Sequence, residues 1–334
     1  MSDAILFVSF GGPNQPADVM PFLENVTRGR GIPRERLEVV AEHYLHFGGK
    51  SPINDQNLTM IDSLTKTLAQ KGPDLPVYFG NRNWTPFLND TFNQMKQDGV
   101  TRVFAFVTSA FSCYSGCRQY RENIYAAQDA TGTQSMEINK LRVYFNHPGF
   151  IDPLIDHVKQ ARQNSPTARL IFTAHSVPMW MANGSKYVAQ LTEASRLVAE
   201  GAGVTDFDLV YQSRSGAPNM PWLEPDILDH MRTLHSTGVS DIIICPIGFI
   251  SDHMEVMFDL DEEALLLAKE LGMNMQRTST SSSDPRFAAM IRELVIERRD
   301  NQLTRISLGT LGPSHDVCPV DCCPPPPARP AAPR

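Results

Sequence analysis

Apolar residues occur along the chain in short runs that are separated by longer amphipathic stretches. The short runs predict strands at 4–10, 77–80, 102–107, 142–145, 169–173, 207–212 and 241–246. Between them, apolar residues recur every three or four positions, which is the spacing of one helix face. This spacing predicts helices at 33–46, 54–70, 85–98, 118–128, 151–163, 186–200, 225–235, 252–271 and 285–298. Strands that alternate with helices in this way form parallel sheets covered on both faces, so we expect an α/β fold.

The pattern divides into two similar halves, each of which opens with a strand that runs into a turn of small residues. We therefore predict two Rossmann-like lobes, at 1–147 and 148–312, followed by a segment rich in cysteine and proline at 313–334. In open α/β sheets, ligands bind beyond the carboxyl ends of the strands. The residues that directly follow strands are therefore the first candidates for a functional site.

Composition narrows the class of protein. A chain of 334 residues is longer than one hydrophobic core usually serves. A net charge of −7 argues against a general nucleic-acid binder, which needs surplus Lys and Arg. No apolar run reaches the 18 residues of a membrane span, and the first residues lack the basic segment of a signal peptide. We expect a cytoplasmic, monomeric protein with small-molecule partners.

Two candidates for chemistry directly follow predicted strands. His175 ends the run at 169–173 and can be read as a base, as a metal ligand or as an ordinary histidine at a strand end. Glu255, Asp259 and Glu263 recur at intervals of four, which places them on one face of a helix. This acidic row is either a solvated surface or a path for a hydrated divalent cation.

The acidic row belongs to a segment with an unusual charge distribution. Positions 252–263 hold six carboxylates and no Lys or Arg. A helix is expected to begin here with Ser251 or Asp252 as its N-cap. That start would turn His253 away from Glu255, because residues two positions apart in a helix do not face each other.

Arginines and cysteines supply further candidates. Arg28 and Arg30 lie in a glycine-containing loop, where they could bind carboxylates through paired hydrogen bonds or could simply be solvated. Three of the six cysteines crowd the C-terminal segment, a distribution that indicates metal or iron–sulfur ligation in a reducing compartment. The proline-rich stretch after Cys323 is expected to be mobile.

Several of these segments together resemble one family, the ferrochelatases, which insert ferrous iron into a porphyrin. The resemblance covers roughly residues 4 to 310, and its most specific parts are the His-Ser-x-Pro motif beginning at His175 and the Ser-Asp-His-x-Glu motif ending at Glu255. The segments that carry it lie at 6–13, 48–52, 172–178, 211–216, 221–223 and 246–255. Positions 25–30 and 116–122 resemble the coproporphyrin III branch found in actinobacteria and other bacteria.

The resemblance implies a role for each matching residue. His175 and Glu255 would bind iron and accept the pyrrole protons, and Asp259 and Glu263 would form a metal or proton path. Ser51 and Tyr120 match positions that contact the porphyrin, and Arg28 or Arg30 would bind propionates. Some members carry an iron-ligating Tyr where this chain has Phe10, which has no donor atom, so no iron-ligand role is assigned to it.

The resemblance also implies a [2Fe–2S] cluster, because many members hold one with an internal cysteine and three near the C-terminus. Four thiolates are the usual ligand set for such a cluster. The C-terminal ligands would be Cys318, Cys322 and Cys323. Cys117 matches the internal ligand, with Cys113 as its rival.

Alternative functions remain open from the sequence. The same fold could metalate protoporphyrin IX, or could serve a non-catalytic haem-binding or iron–sulfur sensor protein. A small cobalt-inserting chelatase would be expected to have a second histidine where Glu255 stands, which lowers that option.

Overall fold

The first of two parallel sheets is built from the N-terminal half of the chain. The computed structural model describes residues 2–216 and 219–327. Sheet strands lie in the order β2-β1-β3-β4. Their bounds are β1 Asp3–Ser9, β2 Val77–Asn81, β3 Arg102–Val107 and β4 Glu137–Lys140. The central strand β1 is buried on both faces from Ala4 to Val8, which explains its continuous apolar run.

The second sheet repeats the arrangement of the first. Its strands are β5 Arg169–His175, β6 Phe207–Gln212, β7 Asp241–Cys245 and β8 Asn274–Arg277. Their order is β6-β5-β7-β8, and every pairing in both sheets is parallel. The predicted α/β class, with helices flanking two parallel sheets, is therefore confirmed.

Helices cover both sheets. The α-helices are α1 Val19–Val26, α2 Arg34–His46, α3 Ile53–Lys71, α4 Leu88–Gln97, α5 Gln119–Thr131, α6 Pro148–Asn164, α7 Met179–Asn183, α8 Tyr187–Gly201, α9 Ile227–Ser236, α10 Met254–Val256, α11 Leu265–Leu271 and α12 Pro285–Arg299. Two π-helical segments interrupt this pattern, at Tyr114–Arg118 and at Met257–Ala264. π-Helical turns are rare and occur frequently at functional sites.

The strand predicted at 142–145 is wrong. The fourth strand of the first sheet is β4, which pairs with β3 and contains mostly polar residues. Tyr144 and Phe145 are fully buried without being in a strand, so their apolar run reflects burial in the core. The short helix α1 and the polar edge strand β8 were not predicted, because neither has the expected apolar period over enough residues.

One hydrophobic core is shared by the two sheets. It includes Phe106 of the first sheet and Phe172 of the second, together with Phe287 of α12. The ring of Phe106 stacks on Tyr144 with centroids 5.2 Å apart, and Phe287 packs edge-on against both. The lobe boundaries expected at 147 and 312 remain a prediction.

The C-terminal segment adopts no helix or strand between 300 and 327, yet it is tied to the body of the protein. The side chain of Asn146 donates to the carbonyl oxygens of Leu308 and Gly312, at 3.0 and 2.9 Å. Arg118 donates to the carbonyl oxygen of Val320 at 3.4 Å. The mobility expected after Cys323 remains a prediction, and residues 328–334 lie outside the described part of the chain.

Candidate active site

His175 and Glu255 lie at the carboxyl edge of the second sheet, where ligands are expected. His175 is the last residue of β5, and Glu255 lies in α10, shortly after the neighbouring strand β7. The loop between β7 and α10 passes close to β5, since a Cβ on Gly248 would lie 2.6 Å from the Cα of Ala174. The Nε2 atom of His175 is 3.6 Å from a carboxylate oxygen of Glu255.

The hydrogen bond of His175 determines which of its two ring nitrogens carries the proton and which presents a lone pair to Glu255. Its Nδ1 contacts the carbonyl oxygen of Ser176 at 2.5 Å. A carbonyl oxygen can only accept, so Nδ1 carries the proton and Nε2 of the neutral ring is an acceptor. Two acceptors that face each other at this distance are stabilised by a cation between them. The pair is therefore suited to a metal ion or a proton.

His253 also belongs to this group, although the sequence expectation turned it away from Glu255. The N-cap of α10 is His253, with extended backbone angles, and not Ser251 or Asp252. Its Nδ1 accepts from the backbone N–H of Glu255 at 3.2 Å and lies 3.9 Å from the carboxylate. Burial lowers the pKa of His253, and the neighbouring His175 lowers it further.

The acidic row continues from Glu255 into the π-helical segment. Burial raises the pKa of Asp259 to about 7, and the charges of Glu255 and Glu263 contribute to the rise. Ser213 donates to the Asp259 carboxylate, as does the Gln212 side chain at 3.2 Å. The structure thus brings the three predicted acidic residues together, and a carboxyl that titrates near neutral pH can exchange protons readily.

Other carboxylates of the same segment have structural partners. The guanidinium of Arg277, from β8, pairs with Asp252 at 3.0 Å and with Asp261 at 2.5 Å. Glu262 pairs with His46 of α2 at 3.0 Å. A cation from another element, Arg277, therefore neutralises part of this segment, which contains no Lys or Arg of its own.

The acidic row lies against α2 of the first half. Burial raises the pKa of Tyr44, and the charge of the nearby Glu255 carboxylate raises it further. The ring of His43 stacks on Phe258 with centroids 3.8 Å apart. The candidate active site is consequently bordered by both halves of the protein, with His175 and Glu255 supplied by the second.

The predicted porphyrin contacts lie in the first half. Ser51 is buried against the loop after β1, where a Cβ on Gly12 would lie 2.7 Å from the Ser51 Cβ. Tyr120 is buried, and the guanidinium of Arg82 lies 4.3 Å from the centre of its ring. The same guanidinium lies 5.6 Å from the ring of Phe10. Arg82 is not among the site residues predicted from the sequence.

Arg28 and Arg30 are exposed in the loop after α1. Neither side chain forms an ion pair within the described part of the chain. No hydrogen bond or ion pair joins Ser51, Tyr120 or these two arginines to His175 or Glu255 among the described residues. Their proposed contacts with a ligand remain predictions.

The four cysteines predicted as cluster ligands lie together, and we call them the cysteine group: Cys117, Cys318, Cys322 and Cys323. Hydrogen bonds from Cys318 and Cys323 hold the pKa of Cys117 well below its usual range, with a further contribution from Lys140. The sulfur atoms of Cys322 and Cys323 are 3.7 Å apart.

The other two cysteines have packing roles. Cys113 is the N-cap of the first π-helical segment, and its sulfur accepts from the backbone N–H of Gly116 at 3.2 Å. Cys245 is buried at the end of β7, where burial raises the pKa of its thiol to about 12. The structure therefore brings Cys117, and not its rival Cys113, into contact with the C-terminal thiols.

None of the helices among the described residues has the length and apolar character needed to cross a bilayer.

Two solved structures with a similar fold are chelatases. The sirohydrochlorin chelatase SirB from Bacillus subtilis subspecies spizizenii, in complex with cobalt, matches 90% of this chain and 97% of its own with a TM-score of 0.53. SirB from Bacillus subtilis with Fe3+ matches 90% of this chain and 98% of its own, with a TM-score of 0.55. Identities of 13% and 14% restrict this similarity to the fold, which is that of the chelatase class.

A sequence model of the ferrochelatase family matches residues 2–299, and the chain belongs to that family. The coproporphyrin III ferrochelatase of Streptomyces coelicolor is 51% identical over 99% of this chain and 95% of its own length. The ferrochelatase of Rhodopirellula baltica is 54% identical over 98% and 95%. The predictions of family and of a metallochelatase enzyme are confirmed.

Proposed function

We propose that this protein inserts ferrous iron into coproporphyrin III to give Fe-coproporphyrin III. The observation that carries the proposal is the pair formed by His175 Nε2 and the Glu255 carboxylate, 3.6 Å apart at the carboxyl edge of the second sheet. The relatives named coproporphyrin III ferrochelatases, from Streptomyces coelicolor, Streptomyces griseus and Nocardia farcinica, support this substrate over protoporphyrin IX.

The proposed chemistry exchanges two protons for one metal ion. Ferrous iron loses water and binds the four pyrrole nitrogens, and the porphyrin loses two N–H protons. His175 and Glu255 guide the ion and accept these protons, because one presents a neutral imidazole nitrogen and the other a carboxylate. Asp259 and Glu263 conduct protons or iron along the acidic row, which is favoured by the pKa of about 7 of Asp259.

The proposed porphyrin contacts come from the first half. Ser51 and Tyr120 contact the macrocycle or its propionates, and Arg28 and Arg30 bind propionates at the mouth of the site. Neither arginine forms an ion pair with another described residue, so each can form two parallel hydrogen bonds with a carboxylate. Coproporphyrin III carries four propionates and protoporphyrin IX carries two, so these arginines favour the former.

We also propose that the cysteine group holds a [2Fe–2S] cluster. Cys117 contacts Cys318 and Cys323, and Cys323 contacts Cys322, so the four thiols match the ligand set of such a cluster. The bound cluster would supply a redox-sensitive cross-link between the C-terminal segment and the first π-helical segment. Cys117 is its internal ligand, and Cys318, Cys322 and Cys323 are the others.

The remaining parts of the proposal concern the working state of the protein. It acts as a monomer in the cytoplasm with a porphyrin and ferrous iron as its substrates and without nucleic acid. The absence of a spanning helix among the described residues is compatible with this location.

The central test replaces His175 with Ala and measures iron insertion into coproporphyrin III and protoporphyrin IX side by side. We expect loss of insertion with retained porphyrin binding, and a preference of the unmodified protein for coproporphyrin III. His235→Ala, at an exposed position in α9, is the matched control. Unchanged insertion by His175→Ala would rule out the proposed site.

The cluster is tested separately by spectroscopy and by analysis of iron and sulfide. Cys117→Ser, or truncation before Cys318, should abolish the visible absorption of a [2Fe–2S] centre. Cys113→Ser and Cys245→Ser should retain it. Full-length protein purified without oxygen that contains neither cluster iron nor sulfide would contradict this part of the proposal.

A further inference from the structure

The cysteine group has a fifth potential metal ligand beside it. The Nε2 atom of His315 lies 3.8 Å from the sulfur of Cys322. The donor atoms of His315, Cys318 and Cys322 all lie within 4.8 Å of one another. A [2Fe–2S] cluster held by four thiolates leaves His315 without a role as a ligand. His315 therefore distinguishes a second kind of metal site from the cluster.

These three donors match the chemistry of a single soft or borderline cation. Thiolate sulfur and imidazole nitrogen are the ligands that Zn²⁺ takes in structural sites, with tetrahedral geometry and three cysteines plus one histidine as a common set. A fourth thiol is in place, because Cys117 contacts Cys318 and Cys323 contacts Cys322. His315, Cys318 and Cys322 follow the sequence spacing His-x2-Cys-x3-Cys.

The surroundings allow such an ion to enter. His315 is exposed and Cys318 and Cys322 are partly exposed, so the ion needs no opening of the core. The segment around them has no helix or strand to resist adjustment, and Arg305 anchors it through Asp316 at 3.2 Å. Each coordinating thiol would release its proton to solvent on binding.

We propose that His315, Cys318 and Cys322, with one thiol of the neighbouring Cys117 or Cys323, bind a single zinc ion when no iron–sulfur cluster is assembled. The zinc site and the cluster share Cys318 and Cys322, so their occupancies exclude each other. Bound zinc would hold the C-terminal segment on the first π-helical segment without any redox activity.

The test uses full-length, metal-free protein with cobalt(II) as a spectroscopic probe and zinc(II) as competitor. A sulfur-to-cobalt charge-transfer band distinguishes binding at the cysteine group from binding at the candidate active site, because His175, Glu255, Asp259 and Glu263 contain no sulfur. We expect one cobalt ion per chain, tetrahedral d–d bands and displacement by zinc. Absence of the charge-transfer band would overturn the proposal.

Variants assign the ligands. His315→Ala should weaken cobalt and zinc binding at least about tenfold, with His235→Ala unchanged. Cys318→Ser and Cys322→Ser should each weaken cobalt binding and reduce the charge-transfer band. Binding by His315→Ala as tight as that of the unmodified protein would overturn the role of the histidine.

Anaerobic reconstitution with iron and sulfide separates this proposal from that of the cluster. His315→Ala should still assemble the cluster, which also shows that the variant is folded, and preloaded zinc should block assembly. Cluster assembly unaffected by preloaded zinc would contradict the shared site. Failure of the unmodified, zinc-free protein to assemble a cluster would count against the iron–sulfur proposal alone.

Discussion

Glu255 and Asp259 are neighbours in one acidic row, but their surroundings differ. Glu255 is largely exposed and faces His175 and His253, whereas Asp259 is held by Ser213 and Gln212. A protonated histidine stabilises a neighbouring carboxylate, whereas burial among neutral donors favours the protonated carboxyl. The two carboxyl groups are thereby suited to different steps, metal capture at Glu255 and proton transfer at Asp259.

Replacing Glu255 with Gln should lower kcat for iron insertion about 100-fold or more, because the side chain keeps its shape and loses its charge and basicity. Porphyrin binding, followed by absorbance titration, should change little. Glu262→Gln serves as the control, since Glu262 pairs with His46. A kcat in Glu255→Gln equal to that of the unmodified protein would contradict the assignment.

Arg142 and Glu297 form a fully buried ion pair at 2.8 Å that joins the end of the first sheet to α12. Glu297→Leu leaves the Arg142 guanidinium buried without its partner and should lower the free energy of unfolding by about 3–5 kcal/mol. The double variant Arg142→Met/Glu297→Leu should recover most of this loss. Urea unfolding measures both.

An exposed ion pair provides the comparison. Arg232 and Asp229 lie 2.9 Å apart on the surface of α9, so Asp229→Asn should cost less than about 1 kcal/mol. Equal losses in Glu297→Leu and Asp229→Asn would show that burial of the Arg142 pair is not what matters.

Most of the candidate active residues can be predicted from the sequence, because they directly follow strands or recur at helical spacing. The contact of His253 with Glu255 cannot, because it exists only since the helix begins later than expected. The same holds for the hydrogen bond to Asp259 from Ser213, a non-glycine residue with φ of 60°. Both contacts depend on local backbone conformation that residue spacing does not encode.

Helix starts are decided by which residue caps them, and α6 shows how such a cap responds to pH. Its N-cap is His147, whose Nδ1 accepts from the backbone N–H of Gly149 at 3.1 Å. Burial, reinforced by the charge of Arg142, lowers the pKa of His147 to about 4. The folded protein therefore keeps this ring neutral at a pH at which the unfolded chain protonates it.

The sign of the effect follows from that difference. Well above pH 6.5, the ordinary pKa of a histidine, His147 is neutral in both states and adds no pH dependence. As the pH falls from 6.5 towards 4, His147 becomes protonated in the unfolded chain but stays neutral in the folded protein. The free energy of unfolding therefore decreases. Between pH 6.5 and pH 5 this loss should be about 2 kcal/mol.

His147→Asn should remove this pH dependence, since Asn caps helices well and does not titrate. Urea unfolding at pH 5 and pH 6.5 should show a smaller difference in the variant by about 2 kcal/mol. His157→Asn, a histidine in the interior of α6, is the control. Equal pH dependence in His147→Asn and the unmodified protein would exclude His147 as the source.

The strand predictions are wrong where the polarity of the residues does not match the pairing of the backbone. β4 and β8 are edge strands with mostly polar residues, and the partners that define them, β3 and β7, lie 30 or more residues away in sequence. The buried run at 142–145 has the composition of a strand but lies beyond the end of β4. Hydrophobic pattern reports burial, and only pairing distinguishes a strand from a buried loop.

The two halves share their core, so the molecule should unfold as one unit. Phe106, Tyr144 and Phe287 bring together the first sheet, the segment after it and α12. Trp84 reports on the first half and Trp222 on the second. Variants that lack Trp180 and retain only one of these two tryptophans should show the same midpoint in urea.

Phe287→Ala should shift both midpoints together and lower the free energy of unfolding by about 3–5 kcal/mol, because it opens a cavity in the shared core. Fluorescence of the two single-tryptophan proteins provides the measurement. Exposed Phe87→Ala is the control. Two separated midpoints would show that the halves unfold independently.

Residue order alone determined the α/β class, the repetition of two halves and the family, because strand and helix periods and short motifs are local properties of the chain. The contacts that make up the functional sites are not local. Cys117 contacts Cys318, which lies about 200 positions later in the chain. Arg277 of β8 neutralises Asp252, which precedes α10. Such pairs are selected by the packing of sheets and helices around one core, which brings together distant residues whose proximity no spacing along the chain reveals.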